Sequence, residues 1–226
     1  MRSMDVAYWK KIERTLERLV AAGAYERANS YISLGMAAKL RGRLLNYVLS
    51  RGNVVLDLGC GPLPYYSLIA RFRPDLYVCV DPSIFMLRSM PRGPHFVERI
   101  TAVAEYLPVR RRGVDYVVAM FSFRDFMGKG AGLREMLLAA RRGIAVLDVF
   151  RPRNPLGLLL ASLYLMIVAP LLAFVATGVR GGGWSEIYRT MLTMPTAEAL
   201  AKATGGRIVE GKAMGLLALV IADLKG

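Results

Sequence analysis

The chain has 226 residues, of which 54% are apolar and 21% are charged, so it can bury the core of one ordinary domain. This composition excludes a disordered chain, a collagen-like chain and a small disulfide scaffold. The 31 basic and 17 acidic residues give a net charge of +14. Combined with the apolar excess, this charge favours an anionic or apolar partner such as a membrane surface, with nucleic acid as the competing interpretation.

The N-terminal part of the chain has a helical pattern. Residues 5–22 place apolar side chains at helical spacing with charges between them, which predicts an amphipathic helix. A second helical stretch covers residues 25–49 and is interrupted near residues 33–35. We expect residues 1–49 to form a helical cap within a single domain that spans residues 1–226.

Short apolar runs dominate the middle of the chain and alternate with helical segments. The runs cover residues 53–61, 76–81, 95–104, 114–121 and 143–150, and the helical segments cover 64–73, 85–90 and 133–142. Two further runs, 206–214 and 215–225, are separated by a short turn and predict an antiparallel C-terminal hairpin. The order predicts an α/β fold, doubly wound around a mostly parallel seven-stranded sheet.

The segment from Leu156 to Val179 contains no charged residue and is long enough to be a transmembrane candidate. Pro170 is expected to split it into pieces of about fourteen and nine residues, each too short to span a bilayer. The segment also lies between the fifth strand and the hairpin of one sheet. We therefore expect an apolar helical insertion over residues 156–190 that is buried or lies on a membrane surface, with a true span and a plain core helix as alternatives.

Glycines follow the first strand, at the edge where open α/β sheets bind nucleotide-like ligands. Gly59 and Gly61 allow a ligand to approach the backbone after Asp57, and Asp81 ends the second strand, where a carboxylate can accept both hydroxyl hydrogens of a ribose. Pro64 stands where a dinucleotide motif has its third glycine. The pattern therefore predicts an adenosine ligand without a diphosphate; the alternative is an ordinary tight turn.

Metal and disulfide chemistry have little support in the sequence. His95 is the one histidine, which excludes a cluster of several histidines, and Cys60 and Cys79 lack the spacing of a zinc site. With no secretory signal at the N-terminus, a reduced cytoplasmic compartment is the expectation.

The segments VVLDLGCGP and CVDPS resemble the class I S-adenosylmethionine-dependent methyltransferases, a Rossmann-like family, over residues 50–150. The resemblance implies S-adenosylmethionine as cofactor. It further implies that one set of residues, Asp57, Gly59, Gly61 and Pro62, holds its methionine portion. Asp81 and Pro82 would hold the ribose, Val103 and Ala104 would flank the adenine, and Met120 would also contact the cofactor. Many relatives have Asp or Asn at the position of Val103, so adenine binding here relies on backbone and apolar contacts or on Glu105.

A narrower resemblance extends along nearly the whole chain. The segments YERANSYISLG, AEYLPVRRRGVDYVVAMFSFRDF, LDVFRP and MPTAEALAKATGG are similar to the menaquinone/ubiquinone-biosynthesis C-methyltransferases. Three departures concern residues that are usual in that family: Glu26 replaces an aspartate, Asp125 replaces an asparagine, and Ala37 and Ala38 replace a His-Arg pair.

The resemblance also indicates the candidate catalytic residues, which are Arg124, Tyr25, Asn29 and Asp125. Methylation of a quinol ring carbon needs a stabilised phenolate, and Arg124, at the family's F-x-x-R position, can favour it directly or orient a water; alternatively it is a surface arginine that pairs with Asp125. Tyr25 and Asn29 lie four residues apart on one helical face that could cap the pocket, or could simply pack on the sheet.

We therefore expect an enzyme, cytoplasmic and peripherally associated with the membrane, that methylates a lipophilic small molecule such as a polyprenyl quinol. The alternatives are N- or O-methylation of a phospholipid or another lipophilic molecule and, more remotely, RNA binding or non-catalytic cofactor binding. A homodimer stays open. Nucleic acid is not expected as a partner, because the sequence has no cluster of interleaved basic and aromatic residues.

Overall fold

The computed structural model describes residues 6–91, 95–178 and 186–224. Three helices precede the first strand: α1 (Val6–Ala21), α2 (Tyr25–Ile32) and α3 (Met36–Leu49). The break between α2 and α3 falls where the sequence predicts it, because Leu34 and Gly35 adopt left-handed backbone with φ of 50° and 75°. Such a conformation ends a helix and favours glycine.

Strands and helices then alternate along the chain. The first half of this alternation comprises β1 (Val54–Leu58), α4 (Tyr66–Phe72), β2 (Leu76–Val80), α5 (Ile84–Arg88) and β3 (Val97–Ile100). The second half begins with β4 (Val114–Met120), a short 3₁₀ turn (Phe123–Asp125), α6 (Lys129–Ala139) and β5 (Ala140–Val149). The chain continues through α7 (Pro155–Leu163), a π-helical turn (Tyr164–Val168), α8 (Ala169–Thr177), α9 (Glu186–Thr193), α10 (Ala197–Thr204), β6 (Arg207–Lys212) and β7 (Leu217–Asp223).

The described strands form one seven-stranded sheet with the order β3-β2-β1-β4-β5-β7-β6. Neighbouring strands from β3 to β5 are parallel, whereas β7 is antiparallel to both β5 and β6. The prediction of a doubly wound, mostly parallel sheet with a C-terminal hairpin is therefore confirmed. Because β2 and β4 flank β1 on opposite sides, the loops after these strands diverge there and leave a crevice at their carboxyl ends.

Both faces of the sheet are covered. Along β4 all seven residues are buried, and their side chains alternate between two apolar clusters: Val117 and Ala119 join one cluster, while Tyr116 and Val118 join the other. This is the reason that the strands are continuous apolar runs in the sequence rather than alternating patterns.

Two boundaries differ from the prediction. The helix expected over residues 133–142 ends at Ala139, and the last three residues begin β5. In extended backbone, Arg141 and Arg142 reach the Asp115 carboxylate at 2.8 and 3.2 Å, whereas a helix would direct them elsewhere. The strand expected over 95–104 keeps only residues 97–100, and the following residues leave the sheet edge to line a cavity described below.

The apolar segment is one continuous helix from Pro155 to Thr177, so the expectation that Pro170 would split it is wrong. The π-helical turn directly before α8 widens the backbone where the proline ring and its missing N–H would break regular helix geometry. The helix has 23 residues and is long and apolar enough to cross a membrane by length and composition. Residues 179–185 of the predicted 156–190 insertion lie outside the described residues, as does Asp5 at the start of the first predicted helix.

Small and large side chains lie on opposite faces of this helix. Ala161, Leu165, Ala169 and Ala173, at intervals of four residues, are buried in a cluster with residues of α2. Apart from the buried Leu165, its large apolar side chains are exposed or partly exposed, and Leu156, Ile167 and Val175 each keep about 60% or more of their surface accessible (61%, 61% and 67%). The small residues allow close approach to α2, and the exposed residues form an unusually apolar outer face.

Candidate functional site

The carboxyl ends of β1, β2 and β4 open into a cavity, here called the first cavity, and the glycine turn after β1 forms part of its wall. Gly59 has a φ of +68°, and a Cβ atom there would lie 2.4 Å from the Cβ atom of Ser122. Ser122 in turn donates a hydrogen bond from its hydroxyl to the carbonyl of Leu58 at 2.5 Å. Only glycine fits this close approach of the two loops, so Gly59 fixes the shape of the turn that lines the cavity.

Asp81 is fixed in the wall of the first cavity by two backbone donors. The N–H groups of Gly61 and Ser83 each donate to one of its carboxylate oxygens at 2.9 Å. Burial raises the pKa of Asp81, and these two bonds oppose that effect. Each oxygen keeps a second lone pair, so the carboxylate can still accept the two hydroxyl hydrogens of a ribose. Gly61 and Pro62 also line the cavity, and nothing lies within 4 Å of the position that a Cβ atom on Gly61 would occupy.

Asp57 lies behind this turn and is fully buried, outside the residues that line the cavity. Tyr65 and Tyr77 donate to its Oδ2 at 2.5 and 2.8 Å, while Oδ1 has no hydrogen-bond partner in the part of the chain that the structure describes. Burial raises the pKa of Asp57 to about 6. Its place in the structure is therefore beneath the glycine turn, where its charge acts on the turn from behind.

Further walls of the first cavity come from the loops after β2, β3 and β4. Pro82, Val103 and Ala104 line it, whereas Met120 is buried in the core and does not. Glu105 lines it too, but its Oε1 accepts a hydrogen bond from the Gly128 N–H at 2.7 Å, so this carboxylate also holds the following loop in place.

Helix α1 covers the first cavity, a role that the sequence did not assign to particular residues. Trp9, Ile12 and Leu16, one apolar face of the helix, line it. Glu17 anchors one end, since it accepts a hydrogen bond from the Ser83 hydroxyl at 2.5 Å. At the other end Tyr8 and Lys11 bind Glu186 on α9. The amphipathic spacing in residues 5–22 was the signal for this face.

The Arg124 guanidinium lies beyond the first cavity and is buried. Its Nη1 donates to Asp148 Oδ1 at 2.7 Å, and its backbone N–H donates to the other oxygen of Asp148 at 3.0 Å. Asp125 lies 3.7 Å from Nη2. Burial lowers the pKa of Arg124, but the two carboxylates outweigh it and raise that pKa. Arg124 is therefore a fixed, permanently charged group rather than a surface arginine.

Asp125 and Tyr25 lie where several cavities meet. Asp125 lines the first cavity and a smaller second one, and burial raises its pKa to about 6. Tyr25 lines the first, second and third of these spaces, and Asn29, one turn later on α2, lines the second and third. The four predicted catalytic residues are thus brought together at one junction.

The third cavity has a volume of about 310 Å³ and lies between α2, the start of α3, α7 and the turn before β7. Most of its wall is apolar, and Leu160 and Ala161 of the long helix contribute to it. Its charged lining consists of Arg124 and of a residue that the sequence did not single out, Arg41, and further polar groups come from Tyr25, Asn29, Ser33 and Tyr164.

Phe121 separates the first and third cavities, since it lines both. It adopts a φ of 64°, a backbone strain that is uncommon for a non-glycine residue and that concentrates at functional sites. Phe123, two residues later, is completely buried and packs on Phe126 with ring centroids 5.1 Å apart, so it belongs to the core.

Comparison with known proteins agrees with this geometry. The sequence is 29% identical over 222 residues to a demethylmenaquinone methyltransferase from Roseiflexus sp. (strain RS-1), covering 93% of this chain and 91% of that protein. The fold is similar to an S-adenosylmethionine-dependent methyltransferase from Aquifex aeolicus, with a TM-score of 0.53 and 15% identity over 81% of this chain and 88% of the other. The fold is also similar to that of an S-adenosylmethionine-dependent methyltransferase from Methanococcus maripaludis. The TM-score is 0.55 and the identity is 13%, over 90% of this chain and 93% of the other. No protein-family model matches the sequence.

The chain has the fold of the class of S-adenosylmethionine-dependent methyltransferases, and its sequence is similar over nearly the full length to a member of that class. The cofactor of this class is S-adenosylmethionine, and in this chain the Asp81 carboxylate has lone pairs left for the hydroxyl groups of a ribose. Within the class the chain resembles demethylmenaquinone methyltransferases.

Proposed function

We propose that the protein methylates a ring carbon of a polyprenyl quinol, working at the cytoplasmic surface of the membrane. The observation that carries this proposal is the pair of cavities that meet at Tyr25 and Phe121, one suited to a nucleoside and the other apolar and about 310 Å³ in volume. The name of the Roseiflexus relative supports a demethylmenaquinol-like acceptor.

The third cavity suits an aromatic ring that carries an isoprenoid tail. Its polar end is the one it shares with the first cavity, where Arg41 packs on Phe121, whereas Leu160, Leu165 and Leu217 supply apolar walls. A ring with hydroxyl groups would place its oxygens at the polar end and its tail along the long helix. This arrangement brings the ring next to the methyl donor and excludes water from it.

The residues at the junction supply the acid–base and electrostatic parts of the reaction. When bound, S-adenosylmethionine supplies an electrophilic methyl group. A phenol ionises near pH 10, so the acceptor hydroxyl must be encouraged to lose its proton. Arg124, held by Asp148, favours the phenolate, and Asp125 accepts the proton. Each turnover forms one carbon–carbon bond and breaks one carbon–sulfur bond. The methylated ring carbon then loses its proton to solvent, and the ring oxygen regains the proton that Asp125 took, so that one proton is released overall.

The outer face of the α7–α8 helix supports work at a lipid surface. Its exposed apolar side chains are continuous with the wall of the third cavity through Leu160, which is 45% exposed and also lines that cavity. Arg151 and Arg153 are exposed just before the helix begins, and the net charge of +14 attracts anionic headgroups. An acceptor could thus pass from lipid to the cavity along one helix.

The proposal is tested by incubating purified protein with methyl-labelled S-adenosylmethionine and a reduced demethylnaphthoquinol that has an isoprenoid tail, in lipid vesicles. We expect a product heavier by one methyl group, located on the ring carbon. The variant Asp81→Ala is the negative control, because it removes the carboxylate that fits the ribose. Transfer of up to three methyl groups to a phospholipid amine instead, or no transfer to any quinol, would contradict the proposal.

A further inference from the structure

Arg41 is a buried cation for which the proposed reaction has so far supplied no role. It lies on the inner face of α3, is 6% exposed, and lines the third cavity. A buried guanidinium is costly unless its charge and its donors are matched.

The partners of Arg41 match its charge incompletely. Among the described residues, its one ion pair joins Nη1 to Glu26 Oε2 at 3.3 Å, and the Glu26 side chain is 46% exposed, which weakens the attraction. Its Nε has no hydrogen-bond partner among the described residues. The fully buried carboxylate of Asp57 feels the charge of Arg41, but it takes its own hydrogen bonds from Tyr65 and Tyr77.

Two aromatic rings fix where this cation lies. The guanidinium carbon is 5.4 Å from the centroid of the Tyr65 ring and 5.1 Å from that of the Phe121 ring. Phe121 is the side chain that lines both the cofactor cavity and the third cavity. Arg41 is therefore held close to the place where the reacting ring must lie.

We propose that Arg41 binds the ionised ring oxygen of the acceptor and, together with Arg124, makes the third cavity selective for acidic hydroxyl-bearing rings. The Arg124 guanidinium donates to the buried Asp148 at 2.7 Å, whereas Arg41 lines the same cavity and has its ion pair with the half-exposed Glu26 at 3.3 Å. Two guanidinium groups in a largely apolar cavity attract a phenolate more strongly than the neutral phenol. This inference rests on the proposed quinol acceptor.

The test uses 1-naphthol, a tail-free ring whose ionised form has its own absorption band, and measures the ionisation of the bound ring with S-adenosylhomocysteine present. The variants are Arg41→Gln, Arg41→Met and Arg41→Lys, with Lys39→Gln as the matched control on the exposed face of the same helix. The other titratable groups around Arg41 are unchanged in every variant: Tyr25, Glu26, Asp57, Tyr65, Arg124 and Tyr164.

We expect the ionised fraction of bound naphthol at neutral pH to fall about tenfold in Arg41→Gln and Arg41→Met, and less in Arg41→Lys, which keeps the charge but not the planar donors. Lys39→Gln should behave as the unaltered protein. If naphthol binds with the same ionisation in all variants, the role of Arg41 is refuted while the proposed function stands. If the unaltered protein binds no naphthol, both the acceptor class and the role of Arg41 fail.

Discussion

At the scale of single residues, the site depends on charges that are buried and incompletely compensated. Burial raises the pKa of both Asp57 and Asp125 to about 6, while the carboxylates of Asp125 and Asp148 raise the pKa of Arg124. Burying such groups lowers the free energy of unfolding, because each charge would be better solvated in the unfolded chain. In return, the buried groups have the shifted pKa values that acid–base chemistry uses.

The variant Asp125→Asn should change how stability depends on pH. Because the pKa of Asp125 is raised in the folded state, the folded protein holds this proton more tightly than the unfolded chain does. Its contribution to stability is therefore present below about pH 4 and is lost as the pH rises towards 6. The neutral variant escapes that loss, so its free energy of unfolding relative to the unaltered protein should increase by about 1–3 kcal/mol between pH 4 and pH 7.5.

Urea unfolding at the two pH values measures this difference, and the exposed Asp75→Asn serves as the control. A constant difference between Asp125→Asn and the unaltered protein at both pH values would show that Asp125 ionises normally in the folded state. Asparagine is the residue usual at this position in the resembling family, so the variant also shows whether the carboxylate is needed for methyl transfer.

At the scale of secondary-structure elements, the long helix from Pro155 to Thr177 has two faces with opposite requirements. The inner face needs small residues, since Ala169 and Ala173 are completely buried in the cluster with α2. The outer face carries bulky residues that contact nothing in the described structure closely enough to bury them, such as Val175 at 67% exposure.

Adding bulk to the two faces should therefore have unequal effects. Ala173→Leu should lower the free energy of unfolding by about 1–3 kcal/mol, because the extra methyl groups force α2 and α8 apart. Val175→Leu, on the outer face of the same helix, should change it by less than about 0.5 kcal/mol. Thermal unfolding of both variants compares them directly, and equal effects would mean that the helix does not rest on α2 as described.

Elements set by local patterns could be predicted from the sequence, and elements set by packing could not. The buried strands and the turn around Gly59 and Gly61 follow from short-range composition, and their order fixes the sheet. The π-helical turn before Pro170 and the early end of α6 depend on neighbours distant in sequence, as when Arg141 reaches Asp115.

The same distinction applies to the site. The sequence predicts Asp81 as a ribose-binding residue because a carboxylate at the end of the second strand is itself a signal for such a site. Arg41 carries no motif, and its environment exists only once α3 packs against Phe121, eighty positions further along the chain. The family's His-Arg pair at residues 37 and 38 is absent. Arg41, on the next turn of α3, is the residue of this helix that brings a guanidinium to the third cavity.

At the scale of the whole molecule, the apolar helix face and the net charge of +14 should act together on vesicles. Replacing Leu159, Leu163 and Met166 with glutamine should weaken binding to vesicles of anionic lipid at least about tenfold, since each exposed apolar side chain contributes roughly 1 kcal/mol or more when it enters the lipid. Vesicle co-sedimentation measures the partitioning.

The control replaces three exposed apolar residues elsewhere, Ile84, Tyr106 and Val209, with glutamine. Equal losses in both triple variants would argue against a dedicated lipid-facing surface. A third outcome is that the helix variant alone has a lower sedimentation coefficient in the absence of lipid. That result would mean that the face joins two copies of this chain instead. Raised salt should weaken the binding of the unaltered protein to anionic vesicles but not abolish it.

Helix α2 contacts both the long helix and the three cavities. One of its faces rests on the small residues of the long helix, and the same eight-residue element supplies Tyr25, whose ring lines all three cavities. A shift of the long helix therefore cannot leave the reaction centre untouched. We therefore expect methyl transfer to be faster with lipid vesicles present than in bulk water, which a comparison of the two rates would measure.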